Sequence, residues 1–171
     1  MAAPSNNGPR TLAMPVAAIV LLLGLLTSAE GRRYTAYYDA AGILTVCDGI
    51  TGPDVVQGKT YTDAECDTLG RRFVERMSAK IGRCVGPLTF GEWVAWGHFT
   101  YNIGATAFCN STAARLLRTG DHEAACRQMP RWRFVTIDGV RRDCSVYPWT
   151  KKCGGIPTRR ALEQSMCLDA L

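Results

Sequence analysis

Histidine is scarce in this chain, and the cysteines lack the spacing of a metal site. The two histidines are His98 and His122, and the eight cysteines stand singly, with no Cys-x-x-Cys pair. Structural zinc sites take four ligands, commonly with two of them close together in sequence. The sequence therefore argues against a zinc site, and it indicates no other metal and no cofactor.

Basic runs, internal repeats and low-complexity stretches are also missing. The formal net charge is +5, and Arg10 is the charged residue among the first 29, so the remainder carries +4. Nucleic-acid binders present clustered Lys and Arg, so we expect no nucleic-acid partner. A mild positive charge favours a polyanion such as a bacterial cell wall, although many soluble domains carry as much.

The cysteines are better explained as disulfides of an exported protein. Their even number, downstream of an apolar N-terminal segment, indicates an oxidising compartment. Spacing alone leaves the pairing open. We predict one pair, Cys144 with Cys153, because these residues bracket a short, turn-prone segment. The cysteines are Cys47, Cys66, Cys84, Cys109, Cys126, Cys144, Cys153 and Cys167.

The apolar segment at residues 11–29 is uncharged and about long enough to cross a bilayer as a helix. In one interpretation it is a signal peptide, cleaved after the small residues 27–29. In the other it stays attached as an anchor, with the polar residues 1–10 in the cytoplasm. Hydropathy does not separate the two. The remaining 30–171 suits a single domain with a real core.

That domain shows strand patterns first and helix patterns later. Residues 34–38 and 43–47 read as a hairpin around a turn at 39–42, and Val55 with Val56 offers a short third strand. Capping boxes at 62–65 and 89–92 predict two long helices. We expect the first to end at Gly82 and to connect a small sheet lobe to a helical lobe.

The second long helix is apolar on nearly every face, which indicates the buried centre of the helical lobe. His98 lies in it, and a lone histidine there is more often a packed core residue than a catalyst. Further helices are expected from Ser111 to Leu117, up to Pro130, and from Pro157. Residues 137–140 read as a tight hairpin turn. The pattern predicts an α+β fold.

The stretch 30–45 carries the clearest chemistry. Glu30 precedes the hairpin, and Asp39 and Thr45 flank its turn. Two carboxylates on opposite sides of a sugar chain are the usual apparatus of glycoside hydrolysis.

The order and spacing of these residues resemble the phage-type lysozymes, the muramidase endolysins of glycoside hydrolase family 24. Glu30 is followed by Asp39 and Thr45 at the family spacing. Later stretches agree in order: residues 101–104, residues 111–121, and Arg131-Trp132 with residues 155–163. The resemblance covers nearly all of the chain beyond residue 29. It implies a mainly helical lysozyme-like fold, with a small β-hairpin lobe joined by a long helix to a helical lobe and a cleft between them.

The resemblance also implies roles. Glu30 would be the general acid. Partial burial would raise its pKa, while Arg159, which would orient the carboxylate, would oppose that rise. Asp39 would stabilise the oxocarbenium-like transition state and help to activate the attacking water, which Thr45 would hold, in an inverting reaction. Asn102 would contact the substrate, peptidoglycan, in the cleft. The bond cleaved would be the one between N-acetylmuramic acid and N-acetylglucosamine.

Within the family, the chain is most similar to the signal-anchor-release endolysins. That similarity implies a monomer held inactive at the host inner membrane through residues 11–29, facing the periplasm and later released into it. The anchor has no cysteine, so a disulfide switch within it is unavailable. Where many relatives have Gly and His after the hairpin, this chain has Cys47 and Ile50, which concerns local stability more than chemistry.

Two other functions fit parts of the pattern. A non-catalytic, disulfide-rich cell-wall module would explain export, cysteines and charge, but not the spacing of the Glu, Asp and Thr. A lytic transglycosylase is disfavoured by Asp39 and Thr45. Release of reducing sugar or of anhydro sugar from peptidoglycan distinguishes these alternatives.

Overall fold

A computed structural model describes residues 9–29, 31–39 and 42–171. Within them a small β-lobe and a larger helical lobe each have a hydrophobic core. This confirms the predicted α+β class. The strands are β1 (Arg33–Tyr38), β2 (Leu44–Cys47), β3 (Ile50–Thr51), β4 (Phe134–Ile137) and β5 (Val140–Asp143). The helices are α1 (Val16–Ala29), α2 (Asp63–Val85), α3 (Phe90–Ile103), α4 (Ala105–Cys109), α5 (Thr112–Arg118), α6 (His122–Cys126), α7 (Thr150–Cys153) and α8 (Gly155–Leu168), with a short 3-10 helix at Met129–Arg131.

The β-lobe is an antiparallel sheet in the order β1-β2-β3. The predicted hairpin is confirmed, with Tyr37 opposite Thr45. The third strand was predicted at the wrong place: β3 pairs with β2 directly, Val46 opposite Ile50, and residues 55–56 lie outside any strand. The cause is a tight turn at Asp48 and Gly49, which the positive φ of 87° at Gly49 makes possible.

Helix α2 links the two lobes, as predicted. Thr62 and Glu65 form its capping box, and Phe73 packs against both cores. The helix runs past Gly82, where we expected it to end, and stops before Gly86, whose φ is 86°. A glycine within a helix costs only about 1 kcal/mol, and burial of Val85 offsets that cost.

Helix α3 is the buried centre of the helical lobe. Its capping box at Thr89 and Glu92 is confirmed, and Trp93, Trp96 and Phe99 are fully buried. Helix α8 packs across it and begins at Gly155, two residues before the predicted start. The helix predicted up to Pro130 is instead α6 followed by the 3-10 turn. Strands β4 and β5 form the predicted hairpin around residues 137–140.

Helix α1 is part of this core. It packs on α3 and α2, with Ala18 and Leu22 fully buried. Gly97 of α3 makes room for it, since a Cβ there would lie 2.7 Å from Leu22 Cδ2. Residues 11–29 thus yield a helix of 14 residues that packs into the core of the helical lobe. Across the described ranges, no helix combines the length and apolarity that crossing a bilayer requires.

All eight cysteines are paired, and the predicted pair Cys144–Cys153 is confirmed. The other three disulfides tie β2 to α2, α2 to α4, and α6 to α8. These are Cys47–Cys66, Cys84–Cys109 and Cys126–Cys167.

Candidate active site

Asp39 and Thr45 are brought together through the backbone of Ile43. The N–H of Ile43 donates to Asp39 Oδ1 at 2.9 Å, and its carbonyl accepts from Asp39 N at 3.0 Å. The Thr45 hydroxyl donates to the same carbonyl at 2.9 Å. Ile43 therefore sets the orientation of both side chains, and the Thr45 oxygen retains its acceptor capacity.

Asn102 and Arg159 form a second pair, on the helical lobe. Arg159 donates to Asn102 Oδ1, and Asn102 Nδ2 donates to the carbonyl of His98 at 3.0 Å. The amide of Asn102 is thereby fixed from both ends, because each of its polar atoms has a partner. The end of α3 and the start of α8 hold this pair.

Tyr101, which precedes Asn102 on α3, connects the two lobes. Its hydroxyl donates to the carbonyl of Asp48 at 2.7 Å, and its ring meets Phe73 edge-on at 5.2 Å. A cavity of about 400 Å³ lies here, between the turn after β3, the middle of α2 and the end of α3. Thr51, Tyr101 and Gly104 contribute to its walls. The cavity is large enough for part of a sugar chain.

The C-terminal half of α1 and Arg159 line the same cavity. Leu25, Arg159 and Met166 line one cavity of about 370 Å³ between α1 and α8. Glu30, the predicted acid, follows Ala29 directly in sequence and lies outside the described residues. So does most of the polar tail predicted at residues 1–10.

A buried ionic cluster lies next to the pair formed by Asn102 and Arg159. Glu163 is fully buried and receives Arg160 Nη2 at 2.9 Å, and its Oε1 lies 2.7 Å from His98 Nδ1. Burial lowers the pKa of Arg160, and the Glu163 carboxylate opposes that shift. His98 is therefore a core residue, as predicted. Sequence reasoning missed its partners, whose only signal was an Arg and a Glu three residues apart.

Asp39 and Thr45 lie on a hairpin that the long helix α2 joins to a helical lobe, where Arg159 lines a cavity. This arrangement is that of a lysozyme-like muramidase. Comparison with known proteins agrees. The family model described as Phage lysozyme matches residues 27–163. The chain is 37% identical over 141 residues to the SAR-endolysin of Bacteriophage PS119, covering 81% of this chain and 76% of that protein.

Two solved structures share the fold. The endolysin from Escherichia coli O157:H7 phage FAHEc1 superposes with a TM-score of 0.70 at 26% identity, over 92% of this chain and 94% of that one. The muramidase domain of SpmX from Asticaccaulis excentricus gives 0.69 at 26% identity, over 91% and 97%. The chain belongs to the phage lysozyme family. It is a glycoside hydrolase, a muramidase endolysin that acts on peptidoglycan.

Proposed function

We propose that this endolysin hydrolyses the bond between N-acetylmuramic acid and N-acetylglucosamine with inversion, using Glu30, Asp39 and Thr45. Glu30 protonates the leaving glycosidic oxygen while a water attacks the anomeric carbon from the opposite side. That water gives its proton to Asp39, and Thr45 accepts a hydrogen bond from it. The observation that carries this proposal is the shared anchoring of Asp39 and Thr45 on Ile43.

Arg159 and Asn102 serve the acid and the substrate in this scheme. Arg159 orients Glu30, since Leu25 of α1, five residues before Glu30, lines the same cavity as Arg159. Asn102 fixes the guanidinium and presents its exposed side to the sugar chain. An Arg fork held by an amide keeps one orientation at little entropic cost.

Product analysis after digestion of purified peptidoglycan tests the reaction. Hydrolysis yields reducing ends, which reduction with borohydride labels, whereas a transglycosylase yields anhydro sugars and a wall-binding module yields neither. We expect Glu30→Gln and Asp39→Asn each to lower kcat at least a hundredfold. Glu123→Gln, an exposed carboxylate on α6, is the control and keeps the activity of the parent. Full activity of Glu30→Gln would contradict the assignment.

We further propose that residues 11–29 tether an inactive monomer to the inner membrane before release into the periplasm. Residues 1–10 then lie in the cytoplasm, and residues 30–171 form the catalytic domain. As a helix the segment would extend about 28 Å, close to the thickness of the hydrocarbon core. The burial of Ala18 and Leu22 supports retention, since cleavage after Ala29 would remove them from the core.

The intact mass of the active protein tests retention. We expect the active species to contain residues 11–29. An active species that begins at Glu30 would establish a cleaved signal peptide instead.

A further inference from the structure

Arg32 lies two residues beyond Glu30 and is surrounded by carboxylates. Its guanidinium contacts Asp48 through two hydrogen bonds, Nε to Oδ1 at 3.2 Å and Nη2 to Oδ2 at 2.9 Å. It also donates to Asp63 at 2.8 Å and to Asp67 at 2.9 Å. We name these three aspartates the carboxylate socket. They raise the pKa of Arg32, the largest cause being the bond to Asp48, so the arginine stays charged.

The carboxylate socket is assembled without Arg32. Asp48 follows Cys47, while Asp63 and Asp67 flank Cys66 on α2, and Cys47–Cys66 is a disulfide. The backbone of Asp48 is also held, because its carbonyl accepts from Tyr101. A covalent bond thus gathers three like charges at one place, which is unfavourable unless a cation fills the centre.

From this juxtaposition we propose that Arg32 is a positioning residue. Its insertion into the carboxylate socket is a latch that fixes α1 against α2 in the released enzyme, since Leu23 and Gly24 of α1 line the same cavity as Arg32 and Asp67. The inference rests on the proposed function, and it adds how the released form is held. Glu30 lies within about 7 Å of Arg32 along the chain, so fixing Arg32 restricts where the acid can be. Arg32 itself contacts carboxylates rather than the substrate.

The latch distinguishes the tethered from the released form. While residues 11–29 span the bilayer, Arg32 follows three residues later, within about 10 Å of the headgroups. Anionic headgroups attract the guanidinium and repel the three aspartates. The membrane surface and the carboxylate socket therefore compete for the guanidinium of Arg32. After release, Arg32 binds in the socket.

Kinetics with the full-length released protein tests the positioning role. We expect Arg32→Ala to lower kcat about tenfold with KM within twofold of the parent, because lost charge-assisted bonds change an equilibrium by that factor. Arg32→Lys restores part of kcat, since it supplies a charge without the planar fork. Arg33→Ala is the matched control, because it removes the charge of the adjacent residue. The Arg33 guanidinium lies over the ring of Tyr37 at 4.5 Å. We expect this variant to keep the kcat of the parent.

Flotation with vesicles tests the competition. Each full-length variant is reconstituted in phosphatidylcholine vesicles, with or without phosphatidylglycerol. In neutral vesicles we expect a released-to-bound ratio about tenfold lower for Arg32→Ala than for Arg33→Ala. Phosphatidylglycerol lowers the ratio of the parent. Equal ratios for the two alanine variants would overturn the latch.

A second variant covers the case in which Arg32→Ala does not fold. Asp67 is 69% exposed on α2, so Asp67→Asn removes one acceptor with little risk to folding. We expect an intermediate kcat, and no further loss when the substitution is added to Arg32→Ala. Parent-like kinetics for both Asp67→Asn and Arg32→Ala would refute the latch alone. An active Glu30→Gln would instead refute the proposed function.

Discussion

Thr11 and Leu88 exchange two backbone hydrogen bonds. Thr11 N donates to Leu88 O at 2.8 Å, and Leu88 N donates to Thr11 O at 2.9 Å. The indole of Trp93 also donates to Thr11 O, at 3.1 Å. These bonds fix the chain that leads into α1 on the helical lobe, next to the carbonyl of Leu12. Gly82 faces that carbonyl, and a Cβ at residue 82 would lie 2.1 Å from it.

Gly82→Ala is expected to displace the segment that leads into α1 and to destabilise the enzyme. The clash is with backbone, which cannot rotate away, so we expect a loss of about 1–3 kcal/mol despite the better helix propensity of alanine. Gly24→Ala is the matched control, because a Cβ there has no neighbour within 4 Å. Thermal unfolding of both variants measures the difference. Equal midpoints would show that the segment before α1 is not held at this position.

Alanine substitutions at Leu22 and at Leu21 distinguish the contribution of α1 packing from that of α1 apolarity. Leu22 is fully buried and Leu21 is 47% exposed, yet each loses the same side chain on replacement by alanine. We expect Leu22→Ala to cost about 2–5 kcal/mol of stability. Leu21→Ala should cost within about 0.5 kcal/mol. Denaturant unfolding checks this, and an equal cost at both positions would contradict the docking of α1 in the core.

Glu163 is expected to be essential for stability. Glu163→Gln leaves the buried guanidinium of Arg160 without its counter-charge, which costs about 3–5 kcal/mol. Glu123→Gln is the control, since the Glu123–Arg127 pair on α6 is exposed and worth about 0.5 kcal/mol. Chemical denaturation of the two variants gives the comparison. A loss no larger for Glu163 than for Glu123 would show that the cluster carries little free energy.

Glu65 makes stability depend on acid pH. Hydrogen bonds from Lys59 and from the backbone of Thr62 lower the pKa of Glu65 from 4.5 to about 2. A carboxyl with a depressed pKa stabilises the fold above its unfolded pKa, and that contribution disappears as pH falls from 4.5 toward 2. We expect the parent to melt above Glu65→Gln at neutral pH and the gap to close near pH 2. Melting curves across this range suffice, and a constant gap would argue against the mechanism.

Local patterns predicted much of the fold. The capping boxes at Thr62 and Thr89 depend on residues three apart, and the hairpin depends on alternation and turn residues, so each is legible in sequence. The register of β3 was not, because the tight turn at Gly49 decides it. The roles predicted for Glu30, Asp39, Thr45, Asn102 and Arg159 stay predictions.

The long-range charge pairs of Arg32 and of His122 were not predicted from the sequence. Arg32 meets Asp63 and Asp67 across 31 and 35 residues, and the contact between His122 and the buried Glu92 spans 30. No periodic pattern in the sequence predicts such partners, since only the packing of the lobes brings them together.

The outer face of α1 keeps apolar side chains that the packed enzyme does not use. Val16 is 66% exposed and Val20 is 54% exposed, although water favours polar residues at such positions. On the proposed cycle, Val16 and Val20 face lipid while the segment spans the membrane. Ala18 is instead buried in the folded enzyme, where its size must fit the neighbouring helices. On that cycle, the two faces of α1 are under separate constraints. Among natural variants, drift at residues 16 and 20 should follow membrane demands, and drift at residue 18 should follow its neighbours on α3.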